Sequence, residues 1–328
     1  MSEREDGIRH LNISTHEPTL PPPHCNLTAK PITSDKPLRT ACDSPQLTCL
    51  LTGATNGIGQ AGAISRAQQG YNLFLTARSD VKAQQTETQI KARVPDAQIQ
   101  WLMGDFSRLS DVDTIAREFL DSGATLDLLW LNAGICYNQY RVSSDGYEMM
   151  WAVNHLAPFR LTDLLFDKLC EGSAPMRIVV TASAAHKSVN ALNLNVNDKH
   201  GFKTFKTYGN SKLANILFTQ SLAAKLKEAA PQKSFTVNSF HPGFVGTGIG
   251  TQVMLGKILM ALCKPFVRKS AKGAETGLFL ALDPYDQDKS GGYYFDCEIE
   301  PLQPYARDKD MAETLWETSQ QMVTSVTP

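Results

Sequence analysis

Tyr208 and Lys212 stand four positions apart in Y-G-N-S-K, a spacing that puts both side chains on one face of a helix. A phenol with an ordinary pKa near ~10 is a poor proton shuttle at neutral pH. A fixed ammonium within several ångströms favours the phenolate, typically by about 1 to 3 units, and tunes it for general acid–base work. Leu213, Ile216 and Leu217 continue as the apolar stripe of that helix, so the pair belongs near its N-terminal end. Alone, such a pair is often surface decoration, and its weight depends on what else the chain carries.

A second group of residues could hold phosphates. Thr52-Gly53-Ala54-Thr55-Asn56-Gly57-Ile58-Gly59 follows an apolar run and opens a helix-like stretch. Glycines at 53, 57 and 59 let the backbone turn tightly and approach a pyrophosphate, and the helix start at Asn56, Gly57 and Ile58 offers free N–H groups to it. A structural turn is the rival reading of a glycine-rich loop taken alone, but this one has the strand-to-helix context that dinucleotide binding requires. Arg78 ends the next apolar run, about 20 residues on, where an acidic residue would bind a ribose 2′-hydroxyl. A guanidinium there instead suits a 2′-phosphate, which selects NADP(H) over NAD(H). Asp80 is the competing residue for the ribose. Asp105 closes the third apolar run, positioned to meet the adenine, with helix capping as the alternative.

These residues need a frame. Apolar runs at 47–53, 71–78, 97–105, 126–134, 177–183, 234–243 and 291–296 are candidate strands. Several are apolar on consecutive residues, as strands buried on both faces are. Amphipathic stretches lie between them near 58–69, 80–93, 110–121, 147–170, 208–229 and 272–282. The alternation predicts an α/β fold, a single doubly wound Rossmann-type domain with a seven-stranded parallel sheet. That domain spans 46–328, with its cofactor half at about 46–180. Residues 1–45 carry seven of the 17 prolines and no periodicity, which predicts a disordered or loosely packed extension; an arm lying along the domain is the other option.

Composition excludes several classes. A formal net charge of −1 and the lack of a basic stripe argue against nucleic acid as a partner. The seven cysteines form no C-x-x-C pair and sit beside no histidine at ligand spacing, so free thiols in a reducing compartment are expected and no metal site is. His186 and His241 read as hydrogen-bonded structural histidines. MSEREDGIRH is charged, with no apolar stretch after it, unlike a secretory signal, and no window reaches the roughly 18 apolar residues of a membrane span. A cytoplasmic location follows as the expectation.

With these pieces in order, the chain resembles the short-chain dehydrogenase/reductase superfamily over about 47–320. T-G-x-x-x-G-I-G, N-A-G (Asn132-Ala133-Gly134), Y-x-x-x-K and H-P-G (His241-Pro242-Gly243) occur in family order. D-G-Y-E-M-M-W-A-V-N-H-L-A-P-F at 145–159, S-K-L-A-N-I-L-F-T-Q at 211–220 and S-G-G-Y-Y-F-D-C at 290–297 look like the retinol dehydrogenase branch, near the WW-domain-containing oxidoreductases. The resemblance implies hydride transfer between a nicotinamide and a carbonyl/alcohol pair. Tyr208 would be the acid/base, and Lys212 would hold the nicotinamide ribose and lower the tyrosine pKa. Ser183 would donate a hydrogen bond to the substrate oxygen, and Asn154 would hold a water linking Lys212 to solvent. Asn132, Ala133 and Gly134 would line the cofactor, as would Pro242, Gly243 and Val245, with Thr247 on the carboxamide.

One departure from the family pattern affects the substrate. Ser183 and Tyr208 are 25 positions apart, about twice the separation in many members, so a polar loop over the substrate mouth is expected. Ser188 is the competing serine. The stretch at about 244–270 would cap the substrate pocket; its apolar residues imply a lipophilic small molecule, with core packing as the alternative. Its lysines and arginine also permit weak membrane-surface contact. A homodimer is compatible with all of this. The rival function is a non-catalytic dinucleotide-binding sensor or scaffold, which would not require Asn154, Ser183, Tyr208 and Lys212 together. Sugar-nucleotide epimerases and dehydratases usually carry G-x-x-G-x-x-G and fit less well.

Overall fold

A computed structural model describes residues 46–172, 175–243, 270–282 and 289–326. The expected extension at 1–45 and nearly all of the expected lid at 244–270 lie outside these residues.

Each apolar run forms a strand: β1 Thr48–Leu51, β2 Asn72–Ala77, β3 Ile99–Met103, β4 Leu128–Leu131, β5 Met176–Thr181, β6 Phe235–Phe240 and β7 Tyr293–Phe295. They hydrogen-bond in the order β3-β2-β1-β4-β5-β6-β7, every pair parallel. The sheet is one strand wider than expected. A two-residue strand β8, Glu298–Ile299, returns antiparallel to β7. Asp296 and Cys297 turn the chain at φ +48° and +67°, the geometry of a two-residue hairpin. Two exposed residues carry no periodicity, which is why the sequence hid this strand.

Consecutive residues of the central strands face opposite layers, which accounts for their unbroken apolar runs. Leu50, Leu129, Leu131, Ile178 and Val180 point into one core, while Cys49, Leu51, Leu128, Trp130 and Val179 point into the other. The helices that cover them are α1 Gly57–Gln68, α2 Asp80–Lys91, α3 Leu109–Asp121, a composite α4, a short α5 Phe166–Cys170, α6 Thr204–Ala229, α7 Ser270–Leu282 and α8 Lys309–Thr324. In α3 the buried Leu109, Val112, Ile115, Ala116 and Phe119 make a single stripe, the pattern of a helix laid on a sheet.

Helix α4 runs Met149–Trp151, widens into a π-helical turn Ala152–Leu156, and continues as Ala157–Leu164. Pro158, lacking an N–H, cannot donate to the carbonyl four residues back, that of Asn154. The sequence thus places a helix defect on a candidate catalytic residue, and π turns of this kind are frequent at functional sites.

Candidate active site

Strand order reverses between β1 and β4, and in such sheets the ligand crevice opens at the strands' carboxyl ends beside that point. Threonines join the strand ends there. Thr52 Oγ1 accepts the backbone N–H groups of Asn132 (2.9 Å) and Ala133 (3.0 Å), and Thr76 Oγ1 accepts that of Gly53 at 3.0 Å. Gly53 sits at φ +69°, and a Cβ there would lie 2.9 Å from the Ala133 Cα, so no other residue fits. Gly59 packs just as tightly, against the Gly53 carbonyl and the Asn132 amide.

The start of α1 suits a phosphate group. Asn56, its N-cap, makes no side-chain bond to the first turn, which holds the buried Gly57, Ile58 and Gly59. An uncapped helix start leaves N–H groups for a ligand. The Asn132 side chain is also a brace. It donates to the carbonyls of Thr52 (3.1 Å) and Gly53 (3.3 Å) and accepts from Thr181 Oγ1 at 3.4 Å, bracing three strand ends.

Arg78 follows β2 and is 60% exposed, its Nη1 3.9 Å from Asp105 Oδ2. Asp105 Oδ1 meanwhile accepts the Ser107 N–H at 2.9 Å in the loop before α3, whose N-cap is Arg108, so Asp105 does not cap that helix. Asp80 is the first residue of α2.

The acid–base pair stands on α6. Tyr208 and Lys212 share a face, the ammonium 5.8 Å from the phenol ring centre. Helix α6 begins at Thr204, so the pair occupies its first turns, as the stripe implied. Lys212 is 3% exposed and donates to the Thr181 carbonyl at 2.9 Å. Burial pulls its ammonium down to about 8, opposed by Cys136. Tyr208 is half-buried, and desolvation, with a further push from Cys136, lifts its phenol to about 12 while the Ser183 hydroxyl draws it back. The expected lowering of the tyrosine by Lys212 is not expressed in this geometry, where desolvation dominates.

Ser183 follows β5 and caps a 3₁₀ turn, Ala184–Ser188, its Oγ accepting the Ala185 N–H at 3.1 Å. Its hydroxyl is also the group that draws the Tyr208 pKa back down. Ser188 donates instead to the Phe205 carbonyl at 3.0 Å. The long Ser183–Tyr208 segment passes through that turn and an irregular stretch bounding a cavity of about 500 Å³, lined among others by Glu148, Asn193 and Asn210.

Asn154 is fully buried. Its Oδ1 accepts the Ile135 N–H at 2.7 Å, and its Nδ2 donates to the Ile135 carbonyl (2.9 Å) and Ser211 Oγ (3.0 Å). The side chain thus clamps the segment after N-A-G to α6. Gly134 lies between the polar groups: a Cβ there would come within 3.3 Å of both Asn154 Oδ1 and Lys212 Nζ. Pro242 and Gly243 end the described part of the β6 loop, Gly243 at φ +73°; Val245 and Thr247 lie outside the described residues.

Sequence reasoning missed Cys136, two residues past N-A-G, a half-buried thiol that burial and Glu148 push up to about 11. It also missed Tyr293 and Glu300, which gather with His186 and His241 beside the Ser183 turn. Only the fold brings these residues together, so no local spacing signals them. Among the described residues no cluster of His, Cys, Asp or Glu could hold a metal ion, and no helix is long and apolar enough to cross a membrane.

A Rossmann sheet with an uncapped glycine turn at its switch point, a serine just after β5 and a tyrosine and lysine on α6 have the form of a dinucleotide-dependent oxidoreductase. Residues 47–256 match the short chain dehydrogenase family, and the chain belongs to it. Retinol dehydrogenase 14 of Mus musculus is 34% identical over 290 residues, covering 84% of this chain and 85% of that one. The short-chain dehydrogenase TIC 32 A, chloroplastic, of Brassica napus is 32% identical over 292 residues, 87% and 91% of the two chains. The crystal structure of L-sorbose reductase from Gluconobacter frateurii, complexed with NADPH and L-sorbose, superposes with a TM-score of 0.61 over 76% of this chain and 94% of that one. At 19% identity that likeness is one of fold. The chain is thus an oxidoreductase that uses a nicotinamide cofactor, near the retinol dehydrogenase branch.

Proposed function

We propose that this enzyme transfers hydride between NADP(H) and the carbonyl or alcohol carbon of a lipophilic small molecule, with Tyr208 as the acid/base. What carries the reading is the convergence of Ser183, Tyr208 and Lys212 from β5 and α6 beside the glycine turn. The bound nicotinamide supplies or accepts the hydride. Gly53, Gly57, Ile58 and Gly59 would hold its pyrophosphate, and Arg78 the 2′-phosphate that distinguishes NADP(H). The NADPH in the fold-related sorbose reductase is consistent with that preference.

During reduction Tyr208 would give its proton to the carbonyl oxygen while Ser183 donates a hydrogen bond to the same atom. Lys212 would hold the ribose hydroxyls. The Asn154 carbonyl, deprived of an α-helical donor by Pro158, is the group we assign to a water leading to Lys212; the amide is already engaged.

A cytoplasmic location is part of the same reading and rests on the free thiols of Cys49, Cys136, Cys170 and Cys297. So is a dispensable segment 1–45 preceding one catalytic domain. The test is a panel of aldehydes, ketones and quinones with purified protein, following NADPH and NADH absorbance. Oxidation of NADPH with at least one apolar carbonyl is expected. Binding of NADPH with no turnover across the panel would favour the scaffold alternative.

A further inference from the structure

The edge formed by β7 and β8 grips the turn that carries Ser183. Tyr293, on β7, is 1% exposed. Its ring meets His186 edge-on with centres 5.0 Å apart and stacks on His241 at 5.6 Å. The Tyr293 hydroxyl lies 3.4 Å from His186 Nδ1, and that nitrogen is 2.8 Å from the Ser183 carbonyl oxygen. A carbonyl can only accept, so Nδ1 carries the proton and the tautomer is fixed.

A second grip lies one residue on. Glu300 accepts from Lys187 Nζ through one carboxylate oxygen, and its other oxygen is 2.9 Å from His241 Nε2. The Glu300 N–H donates to the Tyr293 carbonyl at 2.8 Å, so both grips share one backbone. On its far side the turn abuts the catalytic helix, with Gly209 packed directly on Ala185 and Ser188. The Ser183–Ser188 turn is held between α6 and the sheet edge.

We propose that His186 is a positioning residue for the Ser183–Tyr208 pair, and that Tyr293 fixes the ring that does this work. The His186 N–H orients the peptide plane from which the Ser183 hydroxyl projects toward Tyr208. Burial keeps His186 below its ordinary pKa, so the neutral ring persists at neutral pH. The proposal rests on the reading of Tyr208 as proton donor.

The test compares three variants on the best carbonyl from the panel, with NADPH. His186→Phe keeps the aromatic volume and loses the N–H. Since misplacement of about 1 Å at a reacting group can cost about 100-fold, kcat should fall at least about tenfold, with KM for NADPH within about twofold. His186→Asn, which can present an amide N–H near the same place, should recover most of that loss. Unchanged kcat in His186→Phe overturns the proposal. So does a joint loss of kcat, NADPH affinity and thermal stability that Asn does not rescue, because that pattern marks a purely structural histidine. If His186→Phe fails to fold, Tyr293→Phe decides: a several-fold lower kcat at unchanged KM for NADPH supports the proposal, and an unchanged kcat sinks it. Tyr208→Phe runs in parallel. If it is inactive while His186→Phe is intact, only this proposal falls. If it is active, or the unmodified protein reduces nothing, the underlying reading falls with it.

Discussion

The ammonium of Lys212 is hydrogen-bonded to the carbonyl oxygen of Thr181 at 2.9 Å, at the end of the strand that leads into Ser183. Lys212 is thus tied to the strand end beside Ser183 while standing on the helix of Tyr208. It is a buried cation hydrogen-bonded to a neutral oxygen.

That arrangement has a pH signature. Burial lowers the Lys212 pKa to about 8 in the folded chain, against ~10.4 in the unfolded one. Between those values the unfolded state holds more protons, so stability rises with pH from about 8 toward about 10; below about 8 the penalty is present in full. The span is on the order of 3 kcal/mol. Tyr208, raised to about 12, has the opposite effect above about 10. Stability measured by urea unfolding should therefore rise with pH between about 8 and about 10, and Lys212→Met should flatten the curve. Equal slopes in both proteins would contradict the assignment.

Gly134 leaves room for the two polar groups around it. With a Cβ only 3.3 Å from Lys212 Nζ and Asn154 Oδ1, Gly134→Ala should be tolerated with modest loss. Gly134→Val should cost roughly tenfold or more in both NADPH affinity and turnover, by the sensitivity of catalysis to displaced groups. Fluorescence titration with NADPH alongside rates checks this; a fully active valine variant would show that the space is spare.

Arg78 should discriminate between the cofactors. Charge-assisted hydrogen bonds contribute about 1.5 to 3 kcal/mol, and the residue's 60% exposure favours the lower end. Arg78→Ala is expected to weaken NADPH roughly tenfold and leave NADH nearly unchanged. Tighter binding of NADH than NADPH by the unmodified protein would reverse the cofactor assignment.

Arg66 concerns stability rather than chemistry. Its side chain is wholly buried in α1, its guanidinium over the Tyr71 ring at 5.4 Å, and among the described residues none of its three nitrogens makes a hydrogen bond of ordinary length. Replacing a buried, poorly compensated charge with an apolar residue of similar length often stabilises by about 1 to 4 kcal/mol. Arg66→Met should raise the urea midpoint. A lower midpoint would mean that the charge is compensated.

What the sequence made legible follows physical range. The seven parallel strands were readable because burial on both faces writes Leu50-Leu51 or Leu128-Leu129-Trp130-Leu131 as unbroken apolar runs. Tyr208 and Lys212 were readable because one helix turn sets their separation. The Asn132 brace, the Asn154 clamp and the Tyr293–His186 contact join residues 79 or 80, 19 and 107 positions apart, and only the assembled fold creates them. The direction of the Tyr208 shift was hidden for a related reason: spacing on a helix says nothing of how far the fold desolvates the phenol.

The most direct measurement is the turnover of Tyr208→Phe with NADPH and the best carbonyl of the panel, with NADPH affinity measured on the same protein. The variant loses one oxygen and keeps the ring, so binding should stay within about threefold while the rate falls by about 10² to 10⁴, the usual contribution of a positioned proton donor. Near-normal turnover at unchanged NADPH affinity would contradict Tyr208 as the acid and leave the Ser183–Tyr208–Lys212 assembly without its central role.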